Sequence, residues 1–384
     1  MPSEQQTRLI LPMFPPKASA GGIGSSTLLS LPDLHQSFIR GALRTVIGRV
    51  PVVEAHLSRQ DILGSLKVRF GIGRMRYSID PGLYALGNPD EKAPVVVSAN
   101  YKLSFDCLRE ALPDRALWIL VLDTKGVNVW CAAGKGTFGT EELIRRLQAS
   151  GLEQVVRHRR LILPQLAAPG VAAHEVRKRT GFAVSYGPVE ARDLPAYLDA
   201  GMKATEAMRR KTFPFRDRIV LVPMEWIPAL KPLILLCFFF FMAAGMEGLS
   251  GWKMSLALDS GMFMVSALLG AFFAGTTITP VLFPWLPGRA FSVKGLCPAW
   301  FVVLILLDLR LTSPLSLTRV LESFSVLFLV PAASSYWAMK FTGSTPITSL
   351  SGVRKEMRRT LPLQIAGGLI GLVLWIAAKV LRIL

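Results

Sequence analysis

Apolar positions are distributed unequally along the chain, and between about residues 90 and 210 short apolar runs alternate with segments of helical periodicity. Short continuous apolar runs are typical of buried strands, whereas amphipathic segments between them are typical of covering helices. The pattern predicts strands at 94–98, 116–122, 161–163 and 182–186, helices at 140–149, 172–178 and 195–210, and over 75–82 a strand that ends in a turn.

Strands that alternate with helices predict an α/β domain with a mainly parallel, Rossmann-like sheet covered on both faces. In such sheets ligands bind beyond the carboxyl ends of the strands. The sequence therefore predicts a ligand site along one edge of the sheet. The residues that follow the predicted strands there are Ser98, Asn100, Asp123, Thr124, Pro164, Gln165, Gly187 and Pro188.

Beyond residue 228 the pattern changes to long apolar segments separated by short polar stretches. A helix needs about 20 residues to cross the hydrocarbon of a bilayer, and most of these segments approach that length. The pattern predicts an all-α transmembrane domain of about five helices over residues 229–384. The predicted spans lie near 229–248, 254–275, 296–311, 319–340 and 362–382.

The net charge of +18 helps to predict how the apolar helices are oriented in the membrane. Many of the basic residues flank the apolar segments, where the positive-inside rule assigns them to the cytoplasmic face and anionic lipid is their partner. No nucleic-acid module is recognisable, so nucleic acid is not the expected partner. We expect a multi-pass protein of the inner membrane with a Pro-, Gly- and Ser-rich disordered leader over 1–34, without a cleaved signal. A cytoplasmic domain over 35–215 and a basic juxtamembrane linker over 216–228 follow it.

The chain has four cysteines, and no two of them show C-x-x-C spacing. This spacing argues against a zinc site or an iron–sulfur cluster built from this chain. Cys131 stands alone within residues 128–135, which read Asn-Val-Trp-Cys-Ala-Ala-Gly-Lys. If Cys131 acts, it acts as a single thiolate. We expect Cys107 to pack as a small buried residue.

Three hypotheses account for this segment. Residues 134–139 match the phosphate-binding pattern G-x-G-x-x-G, but residues 157–160 are basic where an acidic residue would end the next strand. Lys135 would lower the pKa of a nucleophilic thiol, yet no histidine has a local signature of its base. The third hypothesis makes Cys131 a soft axial ligand to cobalt, whose four equatorial nitrogens come from a corrin.

Residues 128–135 resemble the cap-helix signature of the membrane-bound mercury-methylating corrinoid proteins, which also join a corrinoid domain to membrane helices. Further blocks resemble the large subunit of the corrinoid iron–sulfur protein, although Ser98 stands where threonine is usual. These blocks are residues 81–84, 98–106, 163–166 and 186–189. The corrinoid iron–sulfur protein has a cysteine run for its own cluster and lacks the cap cysteine, so this chain is closer to the mercury-methylating family.

The resemblance implies that Cys131 is the catalytic residue and the protein ligand of a corrinoid cobalt. A methyl group on cobalt(III) would pass from there to inorganic mercury(II) and give methylmercury. The cofactor, a corrinoid of the cobalamin type, would contact the cap segment and the strand ends. The implied contacts are Asn128, Val129, Trp130, Cys131, Ala132, Ala133, Gly134, Lys135, Ser98, Asn100, Tyr101, Ser104, Pro164, Gln165, Gly187 and Pro188.

The resemblance also implies partners. A ferredoxin-like protein with two [4Fe–4S] clusters would supply electrons and carry mercury(II), since no cluster is expected in this chain. A folate-linked system would supply the methyl group. Two alternatives remain open, namely a membrane-anchored corrinoid methyl carrier of acetyl-CoA pathway metabolism and a non-enzymatic corrinoid-binding protein.

Overall fold

The computed structural model describes residues 30–247, 251–312, 316–341 and 350–383. The predicted leader therefore lies mostly outside the described residues. Strands of the first half form one seven-stranded sheet with the order β1-β2-β3-β5-β4-β6-β7. The strands are β1 (Ile39–Thr45), β2 (Gly48–Val53), β3 (Gly82–Leu86), β4 (Val95–Ala99), β5 (Leu117–Leu122), β6 (Arg160–Leu163) and β7 (Ala183–Tyr186).

The sheet contains both parallel and antiparallel pairs, and the strands from β4 to β7, for which a parallel sheet was predicted, are parallel. Strands β5, β4, β6 and β7 are mutually parallel neighbours, whereas β1 pairs antiparallel with β2 and β3 pairs antiparallel with β5. The four predicted strands from residue 94 onward are confirmed. The prediction over 75–82 is wrong, because residues Arg74–Arg76 form a 3₁₀ turn and the strand begins only at Gly82.

Helices cover both faces of this sheet. The predicted helices at 140–149 and 172–178 are confirmed, but the single helix predicted over 195–210 is wrong. Gly201 and Met202 both adopt left-handed backbone conformations, which end one short helix before the next begins. The helices of this half are α1 (Arg59–Arg69), α2 (Lys102–Glu110), α3 (Val129–Lys135), α4 (Thr140–Ser150), α5 (Leu152–Val155), α6 (Ala173–Thr180), α7 (Leu194–Asp199) and α8 (Glu206–Arg209).

The central strands β4 and β5 are buried at every position, as expected for strands covered on both sides. Their alternating side chains enter two apolar clusters. Trp118 and Leu120 pack in one cluster with Leu143 of α4 and Val176 of α6. Ile119 packs in the other cluster, which contains residues of α2 and α7. The sheet is thereby fixed as a rigid platform whose carboxyl edge remains open.

Among the described residues, five helices are long and apolar enough to cross a membrane, in agreement with the predicted number. The first begins at Phe215 and therefore contains residues 216–228 in the same continuous helix. The second is interrupted by two π turns. The helices are α9 (Phe215–Gly245), a second segment composed of α10 (Met254–Leu256), α11 (Met262–Phe273) and α12 (Thr279–Leu282), then α13 (Phe291–Leu311), α14 (Leu317–Lys340) and α15 (Leu350–Ile383).

A buried ion-pair network links four of these five segments near one end of the bundle. Arg310 of α13 bonds Asp259 of the second segment at 2.7 Å and also pairs with Glu322 of α14. Arg382 of α15 reaches the other oxygen of Glu322 at 3.1 Å. Because charges within a bilayer are costly unless paired, this network fixes how the helices pack.

The first of the five long apolar helices, α9, also contacts the sheet domain. The guanidinium of Arg74 donates to the sulfur of Met224 on α9 at 2.9 Å. Lys211, which precedes α9, donates to Glu190 at 3.0 Å and to Asp217 at 2.6 Å. These contacts bring the start of α9 against the carboxyl edge of the sheet, where the ligand site is predicted.

Candidate functional site

A cavity of about 560 Å³ lies at the carboxyl edge of β4, β6 and β7. This volume is within the range of small-molecule and cofactor sites. Most of the residues predicted as ligand contacts are brought together around it. Those that line the cavity are Ser98, Tyr101, Ser104, Asn128, Val129, Trp130, Cys131, Pro164, Gly187 and Pro188.

Helix α3 forms one wall of the cavity. Its N-cap is Asn128, whose side-chain oxygen accepts the backbone N–H of Cys131 at 2.9 Å. The helix ends at Gly136, which has a left-handed φ of 80° and whose N–H donates to the carbonyl of Ala133. These caps satisfy backbone groups that such a short helix cannot satisfy itself. Asn128 therefore holds the backbone that carries the half-buried Cys131.

The second half of α3 does not line the cavity. Ala132 and Ala133 are buried in the apolar cluster of the sheet domain, whereas Gly134 and Lys135 are exposed. A Cβ on Gly170 would lie 2.3 Å from the carbonyl of Phe138 and 3.0 Å from the Cα of Ala133. The small residues after Cys131 therefore let α3 pack closely against the protein.

The glycines of the phosphate-binding pattern have structural roles of the same kind. Gly136 ends α3, and Gly139 is the N-cap of α4. A Cβ on Gly139 would lie 2.6 Å from the carbonyl oxygen of Gly136. Phe138 between them is fully buried. A tight connection between two helices accounts for the pattern without a phosphate.

Asn100 does not line the cavity but braces the loop that leads into α3. Its buried side-chain oxygen accepts from Thr124 N at 3.0 Å, Thr124 Oγ1 at 2.9 Å and Gly126 N at 3.0 Å. Thr124 Oγ1 in turn donates to the carbonyl of Val127 at 2.6 Å. Asn100 is therefore a positioning residue for the helix that carries Cys131.

Replacing Asn100 with alanine is expected to loosen this loop. The change leaves buried donors without an acceptor, which costs about 1–3 kcal/mol. Faster hydrogen exchange at the amides of Thr124, Gly126 and Cys131 would report the loosening directly. Asn88 is an exposed asparagine in another loop, and its replacement with alanine is the matched control. Unchanged exchange at all three amides would contradict the positioning role.

The remaining predicted residues occupy the other walls. Ser98 ends β4, while Tyr101 and Ser104 lie at the start of α2. Gln165 does not line the cavity, and its side-chain oxygen accepts from Arg209 at 2.7 Å. Desolvation by burial raises the pKa of Tyr101, so its hydroxyl stays protonated and can donate a hydrogen bond into the cavity.

Several cavity-lining residues were not predicted as site residues, and Arg74, Cys107, Lys211 and Met224 are among them. Lys211 and Met224 reach the cavity only because α9 docks against the sheet domain. The basic character of residues 209–218 was a signal, but it was assigned to lipid alone. Lys211 is paired there with Glu190, which also lines the cavity, and with Asp217.

The expected burial of Cys107 is wrong. Its side chain is exposed and faces the cavity, because α2 turns this position toward the open edge of the sheet. The surrounding protein still desolvates the thiol, which raises its pKa, while the nearby Arg69 acts in the opposite direction. A thiol with a raised pKa is a weaker nucleophile and metal ligand at neutral pH. The cavity thus contains two thiols, one on α2 and one on α3.

Residues 51–198 match the protein family described as CO dehydrogenase/acetyl-CoA synthase delta subunit. The chain is also similar to the acetyl-CoA decarbonylase/synthase complex subunit gamma of two archaea. It is 34% identical over 123 residues to the protein of Methanopyrus kandleri, which covers 32% of this chain and 26% of that one. It is 30% identical over 187 residues to the protein of Methanothermobacter thermautotrophicus, and this alignment covers 46% of this chain and 40% of that one.

The chain thus spans between 26% and 40% of the length of these two relatives. The family match ends at residue 198, before α9 begins at Phe215. It includes strands β3 to β7 and helix α3, which form most of the cavity. The sheet domain of this chain is therefore similar to subunits of the acetyl-CoA decarbonylase/synthase complex, and it is followed by five apolar helices outside the family match.

Proposed function

We propose that this chain is a membrane-anchored corrinoid-dependent methyltransferase, with the corrinoid held in the cavity at the carboxyl edge of the sheet. One observation carries the proposal. Cys131 on α3 lines the same cavity as the strand-end residues Ser98, Pro164 and Gly187, so the sulfur of the cap segment faces the carboxyl edge of the sheet.

The residues around the cavity fit a large flat cofactor that brings its own equatorial ligands. The lining is mainly apolar, as cofactor sites are, with Val97 and Leu163 among its members. Hydroxyl groups of Ser104 and Tyr101 supply polar contacts at the edge. Cys131 would supply a soft sulfur donor, which suits a metal already bound by four nitrogens.

Each residue then has a defined task. Cys131 donates its thiolate to the metal, and Asn128 keeps the backbone of Cys131 in place. Asn100 keeps the preceding loop in place, as a support behind the metal ligand. Trp130 and Pro164 exclude water from the cavity walls. A corrinoid held there would supply the methyl-transfer chemistry.

Two methyl acceptors are supported by different observations. The octapeptide around Cys131 resembles the cap helix of mercury-methylating proteins and supports mercury(II) as acceptor. The relatives are named as subunits of an acetyl-CoA decarbonylase/synthase complex, and this supports the alternative of a methyl carrier of one-carbon metabolism. The comparisons favour the carrier, and the cap cysteine favours mercury(II).

The other partners follow from the resemblance. A ferredoxin-like protein with two [4Fe–4S] clusters would reduce the cofactor, and a folate-linked system would remethylate it. The basic residues before α9 and between later helices would lie on the cytoplasmic side, so the cavity would face the cytoplasm, where both partners are soluble.

The two acceptors predict different products. The full chain, purified in detergent and loaded with methylcobalamin, is incubated with thiol-bound mercury(II) or with an acetyl-CoA synthase, CO and coenzyme A. If mercury(II) is the acceptor, methylmercury forms in a single turnover and the synthase yields little acetyl-CoA. The reverse outcome establishes the carrier. Chain that binds methylcobalamin but transfers no methyl group to either acceptor would refute the proposed methyltransferase.

A further inference from the structure

A second cavity, of about 510 Å³, lies among the membrane helices, between α13, α14 and α15. It is distinct from the cavity at the sheet edge, and its lining is almost entirely apolar. Trp300, Phe324 and Phe328 contribute three aromatic rings, which are 48%, 50% and 39% exposed. Within the described part of the chain, none of these rings packs against another aromatic ring. They border a cavity that opens toward the lipid.

Two buried polar atoms at this cavity lack a partner. Among the residues that the structure describes, neither Ser292 Oγ nor Gln364 Oε1 has a hydrogen bond, although both residues are more than nine-tenths buried. The other amide atom of Gln364, Nε2, donates to Ser335 Oγ at 2.9 Å, so one end of the amide is paired and the other is not. A buried acceptor without a donor costs about 1–3 kcal/mol. A bound molecule with a hydroxyl group would remove that cost.

The position of the two atoms defines the shape of such a molecule. Ser292 lies in the first turn of α13, and its N–H donates to Glu356 Oε1 at 2.8 Å. This end of α13 is near the basic residues of α15 that we assign to the cytoplasmic face. The polar end of the ligand therefore lies near that face, and its apolar part extends toward the lipid along Leu363, which is 73% exposed.

We propose that this cavity binds an isoprenoid quinol. Its planar ring would pack against the aromatic side chains, and one hydroxyl would donate to Gln364 Oε1 while the other pairs with Ser292 Oγ. Rotation of the Gln364 amide would turn Nε2 toward the cavity and Oε1 toward Ser335, whose hydroxyl would then donate to it. In that orientation Nε2 can donate to a carbonyl of the oxidised ring, so the same side chains can hold both redox states. Phosphatidylcholine has no N–H or O–H donor, so it would leave Gln364 Oε1 unpaired.

Two adjacent glycines allow a matched test. Gly367 lines the cavity, and a Cβ there would lie 3.4 Å from the Cβ of Ala332, whereas a Cβ on Gly368 would meet nothing within 4 Å. Gly367→Leu fills the cavity, and Gly368→Leu adds the same volume outside it. Gln364→Leu removes the unpaired acceptor, and Ser292→Ala removes the other polar group without adding volume.

The full chain in phosphatidylcholine nanodiscs is equilibrated with a long-chain menaquinol under reducing conditions, and bound quinol is measured after removal of excess. We expect saturable binding that Gly368→Leu preserves. Gln364→Leu should weaken the affinity about tenfold or more, since losing one hydrogen bond to a buried group has this effect. Gly367→Leu should weaken it at least as much, because the leucine side chain occupies the space of the ring. Size-exclusion chromatography shows whether each variant folds. If Gly367→Leu or Gln364→Leu does not fold, Ser292→Ala is used in its place and should also weaken the binding of menaquinol.

Two results would overturn the proposal. One is equal retention of menaquinol by wild type, Gly367→Leu and Gln364→Leu, which would mean simple partition into the lipid. The other is displacement of menaquinol from wild type by phosphatidylglycerol at equal concentration, which would mean an ordinary lipid groove. Neither result bears on the corrinoid cavity, because the assay contains no corrinoid.

Discussion

Replacement of Cys131 with alanine is expected to abolish methyl transfer while the protein stays folded. The thiol faces the cavity, whereas the backbone N–H of Cys131 makes the bond to Asn128 that caps α3. Alanine keeps that N–H and is the best helix former. Loss of a residue that supports a metal ligand already costs 10–100-fold, so loss of the ligand itself should cost at least about 100-fold. The measurements are the visible spectrum of the cobalamin-loaded chain and its single-turnover methyl transfer.

The second thiol of the cavity provides the control. Cys107→Ala removes a sulfur from the opposite wall, on α2, and should leave the thiolate-ligated spectrum unchanged. The raised pKa of Cys107 agrees with this expectation, since the neutral thiol is a poor ligand. If Cys131→Ala retained the spectrum and Cys107→Ala lost it, the metal ligand would be Cys107 and the assignment from the cap motif would be wrong.

The sequence predicts the β5-to-β7 side of the sheet better than the β1-to-β3 side. Strands β4 and β5 are continuous apolar runs because helices cover both of their faces. The strands β1 and β2 at the edge mix exposed and buried positions, including Arg40 and Arg44, so they lack such a run and were not predicted. Strand β3 contains only five residues and follows a turn that resembled a strand.

The site residues also divide into those that a local pattern predicts and those that only tertiary contacts bring to the cavity. Ser98, Pro164 and Gly187 could be predicted because parallel strands end at a common edge. Met224 could not, because it reaches the cavity through the docking of the long apolar helix α9, which no local pattern encodes. Asn100 was predicted from its place after β4, but its bonds to Thr124 and Gly126 depend on how one loop folds over another.

A buried four-residue ion cluster beside the cavity offers a test of what holds α1 and α2 together. Asp61 of α1 and Asp106 of α2 both bond Lys102, at 2.5 and 2.7 Å, and both bond Arg109, at 2.8 Å. Arg109 is fully buried and also donates to the backbone carbonyl of Glu54 at 2.5 Å. Every charge in the cluster is therefore compensated, but only while all members are present.

Arg109→Met is expected to destabilise the chain by about 3–5 kcal/mol, because it leaves two buried carboxylates to share one lysine. The free energy of unfolding is obtained from urea titration of the full chain in detergent, followed by protease cleavage of the sheet domain. Arg115→Met is the matched control. Arg115 forms a bidentate pair with Asp199 at 2.7 Å on the surface, where ion pairs contribute little. Equal effects of the two changes would contradict a structural role for the buried cluster.

The same cluster predicts how stability depends on pH. Burial opposes ionisation of Asp61, but hydrogen bonds from Lys102 and Arg109 outweigh it and hold the pKa of Asp61 well below its ordinary value of 3.8. A carboxyl whose pKa is lower in the folded state stabilises the protein above its unfolded pKa, and this contribution is lost as the pH falls below about 4. Asp61→Asn removes this titration. The urea midpoint of the variant should therefore be lower near neutral pH and should fall less on acidification than that of wild type.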